Sequence, residues 1–586
     1  MRGTDSFDAC SDNATPIAKK FSLLHIFTLR SLSKGRIVRR PTPRPSHGTP
    51  ITSPAVGFSS RKCANAQQSV ALIGSGATAI YALKNLIETS CPLTIHIFER
   101  EREIGPGMPY RNGVNLPHML ANIGSREIPP VTESLEAFLL NSNAATLAKF
   151  GINRAEIGPE AFYPRVVLGR YFIAQIAALI AKARGRGHSV EVRSRHTVLD
   201  VEPTQLGTRV KWETPHERGT ETFNHVILAT GHQWRDRVDN SGVQLHSPWP
   251  AESLRRFIGS AVGLLGSSLS AIDAAVALAS FHGRFEEDEN EVRWVPHTPD
   301  AGFTMVMMSR RGVLPDADWY YPHPLPPLSL FTHEALSELA KHDNFLINCQ
   351  SVLAKELEAL DPAYAARTRP AQLEGFAQRH FADRLSKNSW EDVRSDLGLA
   401  KANRAAKISE PWRVALLAAH EVYQSIVQHL TPEDRAVFDR ELFPVFSDVY
   451  ASVPHRSIER MLALHDAGVL ELVRLGEDYT IAAEGQTVKI TGVSGTITVE
   501  HLIDARGQRP ADLTELTFPT LRDAADLDPE TLLVSGPHQP AGSITCVAIP
   551  VVLKRNPFVQ GLENAEALGR RAAQNIADAI ASCSQA

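Results

Sequence analysis

The residues Ser69-Val70-Ala71-Leu72-Ile73 read as a short, fully buried strand, and Gly74-Ser75-Gly76-Ala77-Thr78-Ala79 follows without a gap. From Ile80 to Thr89 the apolar residues Ile80, Leu83, Leu86 and Ile87 recur at helical spacing. Leu93-Thr94-Ile95-His96-Ile97-Phe98 is a second strand, ending at Glu99. A strand, a glycine-rich turn, a helix, a strand and an acid in that order form a dinucleotide-binding unit. Gly74 permits the tight turn, Gly76 lets backbone approach a pyrophosphate with Ser75 between them, and the small Ala79 lets helix and strand pack closely. The helix start offers free N–H groups and positive dipole to phosphates. Glu99, twenty residues after Ala79, can accept bonds from an adenosine ribose diol, which favours FAD or NAD over NADP at this turn.

A related pattern returns at Ala261-Val262-Gly263-Leu264-Leu265, with Gly266-Ser267-Ser268-Leu269-Ser270-Ala271 as the turn. Ser268 replaces the middle glycine, so the candidate phosphate contacts here are Gly266, Ser268 and Ser270. Asp273 is expected in the first helical turn, as a helix-start stabiliser or a cofactor contact. Glu286 to Glu291 reads as a solvated acidic loop. Strand Thr304-Met305-Val306-Met307-Met308 ends at Ser309-Arg310-Arg311-Gly312, where two guanidiniums can pair with an adenosine 2′-phosphate, an arrangement selective for NADPH. Two surface arginines on a turn are the competing reading.

Val226-Ile227-Leu228-Ala229-Thr230-Gly231 would return the chain from the first module to the second, and Leu502-Ile503-Asp504-Ala505-Arg506-Gly507 would return it again. Gly561-Leu562-Glu563-Asn564 opens a helix expected over Ala565 to Ile580, whose N-terminus could face the flavin pyrimidine edge. The expected fold class is α/β: two Rossmann-like dinucleotide-binding domains, a discontinuous FAD domain with an inserted NADP domain, and a helical insertion. The expected segments are a leader at 1–67, FAD domain at 68–255 and 506–586, NAD(P) domain at 256–325 and 451–505, and insertion at 326–450.

Several further segments carry a family likeness: Phe98-Glu99-Arg100 followed by Gly105-Pro106-Gly107-Met108-Pro109-Tyr110, His118-Met119-Leu120-Ala121-Asn122-Ile123 with Glu127-Ile128-Pro129-Pro130, Pro164-Arg165 with Gly169-Arg170-Tyr171, Ala229-Thr230-Gly231-His232, Trp249-Pro250, and Ser309 to Pro315. With these, the chain resembles the FAD-NAD(P)-binding proteins, a group that includes an FAD-dependent urate hydroxylase and an aspartate N-monooxygenase. More distantly it is similar to class B flavin monooxygenases such as ornithine and lysine N-hydroxylases. The resemblance covers about 68–330 and 450–586. It implies cofactor contacts at Asn122, Thr230 and Gly231. The segment Gly242 to Pro250 resembles a Baeyer–Villiger fingerprint but lacks the leading Phe and is one residue short, which leaves ketone oxidation little support.

The insertion is rich in Ala, Leu, Glu and Arg, with helical segments expected at 333–341, 352–360, 370–385 and 414–430, forming a cap over the site. Trp319-Tyr320-Tyr321-Pro322-His323-Pro324 would either line a pocket or form a rigid corner. Arg456 would bind an anion or sit in a structural salt bridge.

Charge narrows the function classes. The formal net charge is −4, but residues 1–67 hold 11 basic and 3 acidic side chains, leaving 50 basic against 62 acidic in the body. An acidic body argues against a nucleic-acid partner. The acid-poor leader reads as a disordered extension or a transit peptide. Six scattered cysteines with no C-x-x-C pair fit a reducing, cytoplasmic setting and give no disulfide or zinc framework. No metal motif and no apolar run near the roughly 18 residues of a membrane span are present.

The expected function is an FAD-dependent, NADPH-using monooxygenase that hydroxylates a small polar substrate, amine or purine-like, with O2 through a C4a-(hydro)peroxyflavin. FAD and NADPH are the expected cofactors, and no catalytic base is assigned because the cofactor carries the chemistry. Two alternatives stay open: an FAD-dependent NAD(P)H reductase with a quinone or protein acceptor, and a non-catalytic flavin-binding redox sensor.

Overall fold

The computed structural model describes residues 68–586, apart from 289–290, 299–301, 388, 523–525, 536–541 and 586, and the basic leader lies outside the described residues. Strand β1 (Gln68–Ile73) leads into helix α1 (Ala77–Leu86), and β2 (Leu93–Glu99) pairs parallel to β1. The apolar run 70–73 is buried on both faces, as a central parallel strand must be. Helix α2 (Arg165–Gly185) and β3 (Ser189–Ser194) extend the sheet, and β4 (His225–Leu228) pairs with the other edge of β1. By length and composition α2 could cross a membrane, but its Val167, Leu168, Tyr171, Phe172, Ile176 and Leu179 are packed in the core of this first module.

The second module repeats the plan. Strands β5 (Arg237–Val238) and β6 (Gln244–His246) precede β7 (Ala261–Leu265), α3 (Leu269–His282) and β8 (Thr304–Ser309). A helical cap follows: α4 (His333–Leu339), α5 (Phe345–Leu360), α6 (Pro362–Thr368), α7 (Phe376–Lys387), α8 (Trp390–Ala406), α9 (Pro411–Gln424), α10 (Pro432–Glu441) and α11 (Phe443–Tyr450). Helix α12 (His455–Asp466), β9 (Leu470–Arg474) and β10 (His501–Asp504) complete the module. The chain then returns through β11 (Ser543–Cys546) and α13 (Leu562–Gln585). The first sheet has the order β11-β4-β1-β2-β3 and the second β9-β8-β7-β10-β6-β5. In each, the third parallel strand (β3, β9) is followed by a three-stranded antiparallel meander, at 197–223 and 480–499, before the strand that returns beside the first.

Several expectations need correction. Strand β6 pairs parallel with β10, Leu245 opposite Leu502, so residues 237–246 belong by hydrogen bonding to the second sheet, not to a first segment ending at 255. The acidic stretch 286–291 is not a free loop: it joins an antiparallel hairpin, and Glu287 reaches Arg460 of α12 at 2.7 Å. In the cap, α7 begins at Phe376 rather than 370, because Arg369 and Gly375 both take left-handed backbone that interrupts a helix. Helices α6, α8, α10 and α11 fall outside the expected segments.

The cap is its own core, built on Tyr423, Phe438 and Phe446, and it is fastened to the first module by Phe558, whose ring centroid lies 5.8 Å from that of Phe438. Burying one such ring contributes about 2–3 kcal/mol. An ionic chain adds to this: Arg384 reaches Asp448 of α11 at 2.5 Å and Asp316 after β8 at 3.2 Å, while Arg413 reaches Asp316 at 2.7 Å.

Two glycines set the geometry of both modules. Gly74 has φ +105°, and a Cβ there would lie 2.3 Å from the Ala229 carbonyl oxygen; Gly266 has φ +133°, with its Cβ 2.5 Å from the Ala505 carbonyl oxygen. Gly74→Ala and Gly266→Ala are therefore expected to destabilise the protein by more than about 2 kcal/mol each, through strain and backbone displacement. Gly398→Ala, inside α8 with no neighbour within 4 Å of its Cβ, is expected to stabilise by about 0.5–1 kcal/mol. Urea unfolding of the three variants checks the contrast.

Candidate functional site

The turn after β1 carries a preformed polar cradle. Gly74 N donates to Phe98 O at 2.8 Å, which seats the turn across the end of β2. Ser75 Oγ donates to Glu99 Oε2 at 2.6 Å, Glu101 N donates to Glu99 Oε1 at 3.0 Å, and Arg111 lies 3.5 Å from the same carboxylate. Glu99 is thereby fixed, 7% exposed, with its carboxylate on the wall of a large cleft. Gly76 faces Gly107 so closely that a Cβ would come within 3.3 Å of its Cα. Asn122 Oδ1 and Thr230 Oγ1 are buried beside the cleft with no hydrogen-bond partner among the described residues. Two orphaned polar atoms and a glycine cradle are what a bound polar dinucleotide would complete.

Across the cleft lies the turn after β7. Gly266 N donates to Met308 O at 2.7 Å, matching the Gly74 contact in the first module. Ser268 is the N-cap of α3 without a side-chain cap bond, so first-turn N–H groups stay open to a ligand. Helix α3 begins at Leu269, which puts Asp273 in the second turn and not the first, beyond capping reach. Its carboxylate instead pairs with Arg165 at the start of α2, 2.7 Å away. Burial pushes the Asp273 carboxyl above its ordinary range in spite of that guanidinium. His232, whose protonation burial depresses to about 4, lines the same waist with Trp249.

The third wall is the cap. Leu417, His420, Glu421 and Gln424 of α9 and Tyr450 of α11 face the cleft. The aromatic segment at 319–324 divides its roles: Trp319 is buried in the cap core, while Tyr321, His323 and Pro324 line the cleft. Tyr321 donates to Glu127, and its ring lies 5.0 Å from the Arg126 guanidinium. Three carboxylates, Glu127, Glu421 and Glu563, share this end. Burial pushes Glu563 up to about 7, with Glu127 and Glu421 adding to the shift.

These walls enclose one cleft of about 1230 Å³, above the roughly 300–1,000 Å³ typical of a pocket for one drug-sized ligand. Of the residues read from the sequence, Gly74, Ser75, Gly76, Glu99, Asn122, Thr230, Gly231, Ser268, Ser270 and Leu562 line it together. Ala79 is buried within α1 and Gly266 sits against Ala505, so both support the turns from behind. Arg310 and Arg311 are not on the lining. Arg310 is exposed and 3.2 Å from Glu477, and Arg311 is stacked 4.3 Å from the Phe381 ring of α7. Arg456 pairs with Glu459 at 3.2 Å, a contact along its own helix. The cap residues escaped sequence reading because their spacing is that of an ordinary amphipathic helix. The Arg165–Asp273 pair escaped it because its members lie 108 residues apart.

Comparison with known proteins identifies the family. Residues 71–233 match the FAD-NAD(P)-binding family, and residues 332–450 match the YdhS-like middle domain, which coincides with the helical cap. The chain is 24% identical over 564 residues to nitrosuccinic acid synthase npaA of Aspergillus oryzae, covering 80% of this chain and 82% of that one. Among solved structures it is similar to the ornithine N-hydroxylase of Kutzneria sp. 744, at 14% identity and a TM-score of 0.49, over 87% of this chain and 99% of that one. It is 34% identical over 520 residues to YdhS of Escherichia coli K12, covering 86% of this chain and 97% of that one. The chain belongs to the YdhS family, and its residues 71–233 form an FAD-NAD(P)-binding domain.

Proposed function

We propose that this protein is an NADPH-dependent flavin monooxygenase that hydroxylates a small polar substrate, with an amine favoured. The observation that carries the reading is the shared cleft: two dinucleotide turns and the helical cap all contribute to its lining. Bound FAD would supply the redox chemistry, taking hydride from the nicotinamide and activating O2. The chain's own residues hold and screen. Glu99, Asn122 and Thr230 fit the flavin nucleotide, and Ser268 and Ser270 fit the pyridine nucleotide. Helices α9 and α11 restrict water above the reacting groups, which favours oxygen transfer over peroxide release. The carboxylates of Glu127, Glu421 and Glu563 favour an amino group at the chamber end. The name of the Aspergillus relative, a synthase of a nitro compound, supports oxidation at nitrogen. Among the described residues no disulfide pair lies beside the first turn to support a thiol reductase: Cys91 is a free thiol, as are the buried Cys349 and Cys546.

The purified protein is expected to be yellow, to consume O2 with NADPH, and to release peroxide until a true substrate is added. A panel of amines and purines scored for suppression of peroxide identifies the substrate. NADPH oxidation that proceeds only with a quinone would overturn the proposal.

The 2′-phosphate contact read from the sequence falls to Arg310, which lies off the cleft lining at the exposed end of β8, 3.2 Å from Glu477. Arg310→Gln is expected to raise the KM for NADPH about tenfold and to leave that for NADH nearly unchanged. Steady-state kinetics with both nucleotides decides this, and equal effects would remove the phosphate contact.

Glu563 gives a pH signature. Its carboxyl holds a proton more tightly in the folded protein than in the unfolded chain, so the stabilisation is complete below its ordinary value of 4.5 and is lost as pH rises through about 7. Thermal melts at pH 6 and pH 8 should show a larger loss for the wild type than for Glu563→Gln.

A further inference from the structure

Arg165 stands where the two nucleotide modules meet. Its backbone N donates to Met119 O at 2.8 Å, which pins the first residue of α2 to the flavin-side loop. Its side chain leaves that module: Nη2 donates to Asp273 Oδ2 of α3 at 2.7 Å, and the guanidinium lies 5.9 Å from the Trp249 ring. Asp273 is 6% exposed. A buried ion pair of this kind adds little net stability, because desolvation offsets most of the attraction. The pair is also incomplete. A guanidinium presents five N–H donors, and Arg165 Nε is buried with no hydrogen-bond partner among the described residues. Arg165 and Asp273 both line the cleft beside Ser268 and Ser270, the uncapped start of α3.

That placement raises an electrostatic problem. The open N–H groups at the start of α3 suit a phosphate, yet Asp273 puts a negative charge one turn further along the same helix. An approaching pyrophosphate would meet both. A guanidinium tethered to Asp273 removes the repulsion while Asp273 takes only part of its donor capacity.

The geometry points to Arg165 as a direct pyrophosphate contact for the pyridine nucleotide, donating from guanidinium N–H groups that Asp273 leaves free, while Asp273 acts as the positioning residue that holds the guanidinium across the module boundary. This rests on the reading that the Ser268–Ser270 turn holds NAD(P). It assigns the recognition of one module's ligand to a side chain of the other, so flavin-side and nucleotide-side structure are joined by one residue.

The test is equilibrium binding of NADP+ and of NAD+ to the flavin-loaded protein, by calorimetry and by perturbation of the flavin absorbance, with no turnover involved. Arg165→Met should weaken both nucleotides roughly 10- to 100-fold, the range for one lost charge-assisted hydrogen bond, with flavin content unchanged. Arg165→Lys keeps the charge opposite Asp273 without the fork geometry and should also bind weakly; it carries the test if Arg165→Met does not fold. The double variant Arg165→Met with Asp273→Asn separates contact from mere neutralisation. Binding that stays as weak as in Arg165→Met supports the contact. Recovery to wild-type affinity would overturn it, since Arg165 would then serve only to cancel Asp273. Loss of flavin with unchanged nucleotide affinity would overturn it as well. Wild-type flavin-loaded protein that binds neither nucleotide would instead refute the underlying reading of the second turn.

Discussion

The closeness of backbone at two points governs this structure. In each module a glycine at the end of the first strand sits against the carbonyl of the strand that returns beside it, Gly74 against Ala229 and Gly266 against Ala505. The paired hydrogen bonds repeat as well: Ala229 N donates to Ile73 O and Ala505 N to Leu265 O, both at 2.9 Å. No side chain fits in either gap, so the turn and the returning strand are locked in one register. Since each returning strand also carries the chain into the next module, the same contact that shapes a phosphate turn sets where the other module begins. The shared cleft follows from that arrangement.

The cap depends on the second module in a similar way. It is inserted between β8 and α12, so both its ends are fixed at one edge of a rigid parallel sheet. Its own core would hold the helices together but would leave their orientation free. The ionic chain through Arg384, Asp316, Asp448 and Arg413 fixes it. Burial alone would raise the Asp448 carboxyl, yet Arg384 and His380 hold it well below the ordinary carboxylate range, so the chain stays charged over the working pH range. Phe558 supplies the contact on the opposite side. A roof anchored to both modules can confine a chamber, whereas a roof anchored to one could only swing over it.

The nucleotide turns were legible because their chemistry is local: strand, glycines, helix and acid fall within thirty residues, and each constraint leaves its mark on adjacent positions. Six of the residues read this way, Gly74, Ser75, Gly76, Glu99, Ser268 and Ser270, line one cleft. What was hidden follows from the same reasoning. The two meanders carry alternating polar residues in short strands whose pairing is settled by neighbours. The assignment of 237–246 to the second sheet depends on pairing with β10, some 250 residues later. Asp273 was misplaced by one turn because Ser268, not a residue nearer it, caps the helix. Arg310 and Arg311 illustrate a limit of another kind. Their position after β8 was correct, but Arg311 is drawn onto Phe381 of an inserted cap, which no local pattern announces.

The cleft is electrically graded, and the grading has a consequence for the order of events within it. At the nucleotide end, helix starts and Arg165 favour anions. At the cap end, Glu127, Glu421 and Glu563 favour cations, and Glu563 is held protonated near neutrality by burial and by its two acidic neighbours. A cation placed among the three would lower that proton's hold, so substrate and proton compete for the same carboxylate.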